Sequence, residues 1–337
     1  MRATIKKTRR APAPGRAPTV PATMRAAVID AFGAPGAFRM RSLPVPVPGP
    51  NELLIATHTA GVARWDAAMR EGWVPAGRPS FPLVLGTDGS GVVVAKGTRV
   101  RRFAPGDAVF AAGFLNPYGK GGFYAELVAV AASTTARIPE TLDLRRAGAI
   151  PITGVTALQG IDRVLRVKPG ERVLIHGASG GVGTLAVQFA KLHGASVFAT
   201  ASGEDGVALA RRLGADVAID GKKAKLEDAA RKFAPRGFHA ALLLAGGALE
   251  TVLGLVRPGG RAAYPHGVEP TPRKRRGLRL VGYDAELNAR ELERLARVVD
   301  EARIEVPIAA TFALDEIRKA HERLAGQVLG KIVLAIR

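Results

Sequence analysis

Cysteine is absent from this chain of 337 residues. That excludes disulfides, thiolate-bound zinc, iron–sulfur clusters and a cysteine nucleophile, and it fits a reducing compartment such as the cytoplasm. Aromatic residues are scarce at 5%, which leaves little for stacking on bases. Long apolar runs are lacking too. The best one, residues 240–256, is broken by Glu250 and several glycines before ~20 clean apolar residues accumulate, so no membrane span is expected. Acidic residues are missing from residues 1–23, which hold six basic residues, four prolines and almost no large apolar side chain. This stretch reads as a disordered basic arm, a dispensable tail rather than a targeting signal, with organised sequence beginning at Met24.

The remainder has the material for a sizeable core. Hydrophobic residues make up 47% and charged residues 23%, and the length suits about two domains. Forty glycines and 23 prolines predict many turns. Lys and Arg number 49 against 29 Asp and Glu, a net charge of +20 spread along the chain, which suits anionic ligands, nucleic acid or simply a basic proteome.

From Met24 the pattern is short strands between Gly/Pro turns: residues 24–29, 51–62, 83–97 and 107–113. After about Arg145 the rhythm becomes strand–helix alternation. Strands are expected at 172–177, 195–201, 217–220, 239–246 and 261–267, the last after a turn at Arg257-Pro258-Gly259-Gly260. Helices are expected at 182–194, up to Gly214, after Lys223, and at 314–326, with a closing strand at 331–336. Such alternation predicts a parallel, doubly wound sheet.

The sharpest motif is His176-Gly177-Ala178-Ser179-Gly180-Gly181-Val182-Gly183, directly after a strand and opening a helix. Glycines permit a tight turn and let backbone approach a pyrophosphate, and the N–H groups at the helix start favour its negative charge. Gly183 lets helix and strand pack closely. Formally Gly177–Gly181 also satisfies Gly-x-Ser-x-Gly, but Ser179 has no His/Asp partner by motif. The next strand ends in Thr200-Ala201-Ser202, without the acid that usually binds an NAD ribose. This leaves room for a 2′-phosphate, with Lys222 and Lys223 as candidate charges.

These residues sit within a series of landmarks: PGPNELLI (48–55), LGTDGSGVV (85–93), RFAPGDAVF (102–110), GGFYAE (121–126), GAIPITGVTALQG (148–160), LVRPGG (255–260) and LGKIVL (329–334). In this order they resemble the medium-chain dehydrogenase/reductase superfamily, and more narrowly its zinc-independent quinone oxidoreductase branch. The resemblance implies a GroES-like β-rich domain from residues 24–145 and 304–337, with an inserted Rossmann domain at 146–303. It also implies NADPH in the interdomain cleft, hydride transfer to a quinone or α,β-unsaturated carbonyl as small electrophilic acceptor, and a homodimer. Zinc-dependent members carry Cys and His-Glu where this chain has Ala63 and Thr87-Asp88, so no metal is expected. Departures from the quinone-reductase pattern are Ala63, Ala68, Gly206 and Gly221.

By this reading the cofactor contacts are Thr153, Thr156, Ala178, Ser179, Gly180, Gly181, Val182, Gly183, Thr200, Ser202, Lys222, Ala245, Gly246, Tyr264, Pro265 and His266. Thr156 has an alternative role as the cap of a helix starting at Ala157. No catalytic residue is assigned; the candidates are His266 and Tyr118 as proton donors and Trp65 and Trp73 as an apolar wall. Asp66 is expected to brace its loop, and Tyr124 to lie in the core. The basic run Arg273-Lys274-Arg275-Arg276, with Arg279, supports an alternative function. This is a nucleic-acid-binding protein that keeps a dehydrogenase fold, as in relatives of the zeta-crystallin type.

Overall fold

In the computed structural model the described residues are 20–73, 79–113, 121–222 and 225–337. Tyr118 and Lys223 lie outside them.

In chain order the first elements are β1 (Thr23–Ile29), β2 (Phe38–Pro44), β3 (Glu52–Val62), α1 (Arg64–Arg70), β4 (Leu83–Val84), β5 (Asp88–Lys96), β6 (Ala108–Ala112), β7 (Leu127–Ala131) and β8 (Thr135–Arg137). The long apolar reading of residues 83–97 is two strands. β4 pairs with β1 while β5 pairs with β3 and β6. The chain crosses between the sheets at Gly86, whose φ of 99° and contact with Tyr124 exclude a side chain: a Cβ there would lie 2.6 Å from the Tyr124 ring.

The joint consists of α2 (Leu144–Ala147) and α3 (Pro151–Gln159). Then come β9 (Arg172–His176), α4 (Gly181–Leu192), β10 (Ser196–Ala201), α5 (Gly203–Arg212), β11 (Val217–Asp220), α6 (Leu226–Phe233), β12 (Phe238–Leu243), α7 (Leu249–Gly254), β13 (Val256–Pro265) and β14 (Arg279–Tyr283). The six strands pair in parallel in the order β11-β10-β9-β12-β13-β14. This is the doubly wound order, whose crevice lies beyond the strands' carboxyl ends on either side of β9. The central strands are almost wholly buried and apolar, as a sheet covered on both faces requires. The expected turn at 257–260 lies inside β13: Gly259, at φ 72°, lets the chain loop out and rejoin β12 after a register shift.

Last come α8 (Ala289–Ala302), β15 (Ile308–Ala313), α9 (Ile317–Arg323) and β16 (Lys331–Ala335). β16 joins the first half of the chain by pairing with β3, and β15 extends that sheet to the order β15-β16-β3-β5-β6-β8, with β7 also on β3. Residues 314–326, expected as one helix, begin with a 3₁₀ turn at Leu314–Glu316 before α9. One apolar cluster runs through the parallel sheet and takes in Phe110, Ala136 and Val333 of the β-rich part.

Candidate functional site

The glycine turn links the tip of β9 to α4. Gly177 takes φ 88°, and a Cβ on Gly183 would sit 2.3 Å from the Gly177 carbonyl oxygen and 2.7 Å from Ala178 Cα. Gly183 therefore sets the close packing of helix on strand. Gly180 differs, because a Cβ there meets only the Gly177 carbonyl oxygen, at 3.8 Å, whereas one on Gly181 would touch Thr153, Gly330 and Lys331 at 3.4–3.6 Å. The bareness of Gly180 serves no packing need and leaves open space at the start of α4. Gly180 is the N-cap, and no side chain caps it, so the first N–H groups of the helix are available to an anion.

The neighbouring strand ends converge on this turn. Thr200 and Leu243 are both in register with His176. The His176 ring bridges all three: Nδ1 lies 2.7 Å from Thr200 Oγ1 and Nε2 meets the Gly247 carbonyl. A carbonyl only accepts, so Nε2 carries the proton. Burial holds the His176 pKa below its ordinary value. Thr200 Oγ1 also accepts from the Gly177 N–H at 3.3 Å, so its hydroxyl braces the turn from beneath. The Ser202 N–H reaches Ser179 Oγ at 3.4 Å, and the Ser202 carbonyl takes a bond from Gln327. Ala245 packs against Gly177, and Gly246 lies so close to Glu269 that a Cβ would fall 1.6 Å from its carbonyl oxygen. At the end of β13 the Tyr264 ring meets His266 edge-on, 6.1 Å between centroids. The exposed His266 has Nδ1 2.9 Å from Asp284 Oδ2. Lys222 is exposed beyond β11, where its N–H binds Asp220 Oδ1 at 3.0 Å. Asp220 stands in register with Ala201. It is a carboxylate beside the β10 tip that sequence reading passed over.

Thr153 and Thr156 both lie within α3, not before a helix at Ala157: Pro151 starts the helix six residues earlier than expected. Their hydroxyls donate back to Ala149 and Ile152 carbonyls, and neither caps a terminus. Thr153 Cγ2 nonetheless lies 3.4 Å from the Cβ position of Gly181, which places it against the turn. The two tryptophans part company. Trp73 is 52% exposed past the end of α1, whereas Trp65 turns inward and donates Nε1–H to Thr87 Oγ1 at 2.7 Å.

Trp65 borders a buried polar cluster. Thr87 donates to Asp66 Oδ1 (3.2 Å), and Asp66 Oδ2 accepts from the Ala63 N–H (2.9 Å), so Asp66 does brace its loop. Burial, with Asp88 nearby, raises the Asp66 pKa to about 7 against the pull of Lys331. Burial also raises Asp88. Asp88 Oδ2 accepts from the Ile152 N–H (3.2 Å) at the start of α3, which ties the cluster to the joint. Tyr124 is wholly buried and its hydroxyl points at the Gly61 carbonyl. Into this cluster runs Lys331, whose Nζ lies 3.8 Å from Asp88 Oδ1 and 4.7 Å from the Trp65 ring centroid. Lys331 belongs to the LGKIVL landmark, but its charge was not singled out. A lysine opening an apolar closing strand was the available signal.

These residues suit a metal poorly. Ala63 offers no donor atom, the Thr87 hydroxyl is engaged, and Asp88 faces an ammonium. Among the described residues no group of three His, Cys, Asp or Glu is placed to hold an ion, and no helix is long and apolar enough to cross a membrane.

A doubly wound sheet with a glycine turn, joined to a β-rich part at a buried polar cluster, defines a dinucleotide-type oxidoreductase architecture. Known proteins agree. Residues 49–140 match the alcohol dehydrogenase GroES-like domain family, and residues 181–272 the zinc-binding dehydrogenase family. The quinone oxidoreductase of Rattus norvegicus is 30% identical over 328 residues, 93% of this chain and 98% of the relative. An NAD-dependent alcohol dehydrogenase superposes with a TM-score of 0.85 at 31% identity, covering 93% of this chain and all of the other. Mycobacterial Rv1454c complexed with NADPH superposes at 0.82 with 27% identity and the same coverage. The chain belongs to the medium-chain dehydrogenase/reductase superfamily, in its quinone oxidoreductase-like branch. It is an oxidoreductase of that type.

Proposed function

We propose that the chain is a zinc-independent, NADPH-dependent reductase that delivers hydride to a quinone or an α,β-unsaturated carbonyl compound. The observation that carries this reading is the open space over Gly180 at the uncapped start of α4, beside a β10 tip that ends in Thr200-Ala201-Ser202. The pyrophosphate suits the turn. The tip of β10 lacks the carboxylate that would repel a 2′-phosphate, and Asp220 is turned onto the Lys222 backbone. The NADPH in the Rv1454c complex supports the same choice. Zinc independence rests on the donor set at Ala63, Thr87 and Asp88. On the resemblance alone we also read the protein as a homodimer, and on its lack of cysteine as cytoplasmic.

Parallel calorimetric titration with NADPH and NADH tests the reading. Tighter binding of NADPH, then turnover of quinones or enones that survives dialysis against a chelator, is the expected result. Binding of neither nucleotide would remove the reading's foundation and bring the exposed basic run at 273–276 forward as a nucleic-acid surface.

A further inference from the structure

Lys331 is anchored at one end by the glycine turn. Gly330 donates its N–H to the Ser179 carbonyl at 2.8 Å and forms an isolated parallel bridge with Gly180. From there the Lys331 side chain crosses the joint. Its Cδ lies 3.6 Å from the Cβ position of Gly181, and its Cε 2.9 Å from that of Gly61. A residue larger than glycine at position 61 would displace both Lys331 and Asp88, whose Oδ1 lies 2.3 Å from that Cβ position. Two glycines, one on each side of the joint, thus leave a channel filled by this one aliphatic stem.

At the far end the ammonium is 4% exposed as a residue and has no hydrogen-bond partner among the described residues; Asp88 Oδ1 also lacks one among them. A buried ammonium that donates none of its N–H groups is costly. At 3.8 Å the Asp88 carboxylate supplies attraction without a hydrogen bond. The neighbouring polar groups are committed elsewhere: Asp66 to Ala63 and Thr87, Thr87 to Trp65, and Tyr124 to Gly61. Arg70 is tied behind them to Gly33 and His321. The donor in this cluster with free N–H groups therefore sits between the turn and the Trp65 indole.

We propose that Lys331 is the proton donor of the reduction, binding the carbonyl oxygen of the acceptor and protonating it as hydride arrives. This rests on the reductase reading above. The acceptor's electrophilic carbon gains a C–H bond from hydride leaving C4 of the dihydronicotinamide. The acceptor's π electrons move to its carbonyl oxygen, which takes a proton from Nζ as that N–H bond breaks. The acceptor is reduced by two electrons and the nicotinamide oxidised by two. Lys331 is left as a neutral amine beside Asp88 and regains a proton from water after product leaves. An enone gives the enol and then the saturated ketone; a quinone gives the quinol. The substrates favoured are those whose reduction places full negative charge on an oxygen.

Lys331→Met alone strands the buried Asp88 carboxylate and risks misfolding. The test therefore uses the double variant Lys331→Met/Asp88→Asn, with Lys331→Arg beside it. The readouts are NADPH affinity, kcat against pH, and the ionisation of p-nitrophenol bound with NADP⁺, a stand-in for the developing oxyanion that needs no turnover. We expect the double variant to bind NADPH within about threefold of the original and to lose about 100-fold or more in kcat. Its bound phenol should ionise at least about one pH unit higher. Lys331→Arg should keep the phenol shift but not kcat, because a guanidinium holds its proton. Unchanged phenol ionisation with kcat within about threefold would overturn the proposal. So would an NADPH affinity loss that accounts for the whole drop in kcat/KM with kcat preserved, since Lys331 would then be a cofactor ligand. Failure of the unmutated protein to bind either nucleotide refutes the reductase reading itself, and is read before any variant.

Discussion

At the residue scale, the glycines of the turn divide into two kinds, and the division is testable. Gly183→Ala drives a methyl into the backbone of Gly177 and Ala178, so it should cost about 1–3 kcal/mol of stability in urea unfolding. Gly180→Ala fits sterically. It should leave the unfolding midpoint unchanged while weakening NADPH binding about tenfold or more, because its methyl takes space meant for the pyrophosphate. Equal loss of stability in both variants would mean that the turn is purely structural.

His321 makes a second prediction at this scale. Burial, and then Arg70, lower its pKa from 6.5 to about 3. Its Nδ1 accepts from Arg70 at 3.0 Å. Folded His321 thus stays neutral over a range where the unfolded chain takes up a proton, so stability is lost as pH falls below 6.5. His321→Phe should be less stable than the original at pH 7. The gap should narrow by ~2 kcal/mol at pH 5 in urea titrations, because only the original carries the imidazole. Asp66 titrates in the same window in both chains and cancels.

At the scale of elements, α8 shows what the sequence disclosed and what was overlooked. Asn288 caps it, its Oδ1 accepting from the Glu291 N–H at 3.0 Å, and Leu292, Leu295 and Val299 form its buried stripe. Both signals are local, yet the helix was not anticipated, nor were β14 and β15. Asn288→Ala should cost about 1 kcal/mol, read as a lower urea midpoint with an unchanged slope. The parallel strands were legible because a sheet buried on both faces demands unbroken apolar runs between helices. The glycine turn was legible because its steric needs admit one residue type at Gly183. The interior of α3 was not, because Thr153 and Thr156 look like caps until the helix start at Pro151 is known. The Lys331–Asp88 pair was illegible for a different reason. Its partners lie 243 positions apart in the numbering and meet only once β16 joins the first sheet.

For the whole molecule, the net charge of +20 gives a long-range field that attracts an anionic dinucleotide and falls off with salt. Arg273, Lys274, Arg275, Arg276 and Arg279 are all exposed. Replacing residues 273–276 with glutamine should leave the thermal midpoint and kcat unchanged while removing any low-salt retention on RNA in a gel-shift assay. Retention that survives this change would locate the affinity elsewhere on the basic surface.

The pairing of β16 with β3 has a consequence for how the protein comes into being. β3 leaves the ribosome some 270 residues before β16, so for most of synthesis it presents an open edge where its last neighbour belongs. The parallel sheet, whose strands all lie between residues 172 and 283, can form in the meantime. A nascent chain arrested after residue 303 should therefore yield a protease-resistant core from its later-made part alone. The earlier-made half stays cleavable until the closing strand emerges and carries Lys331 into place.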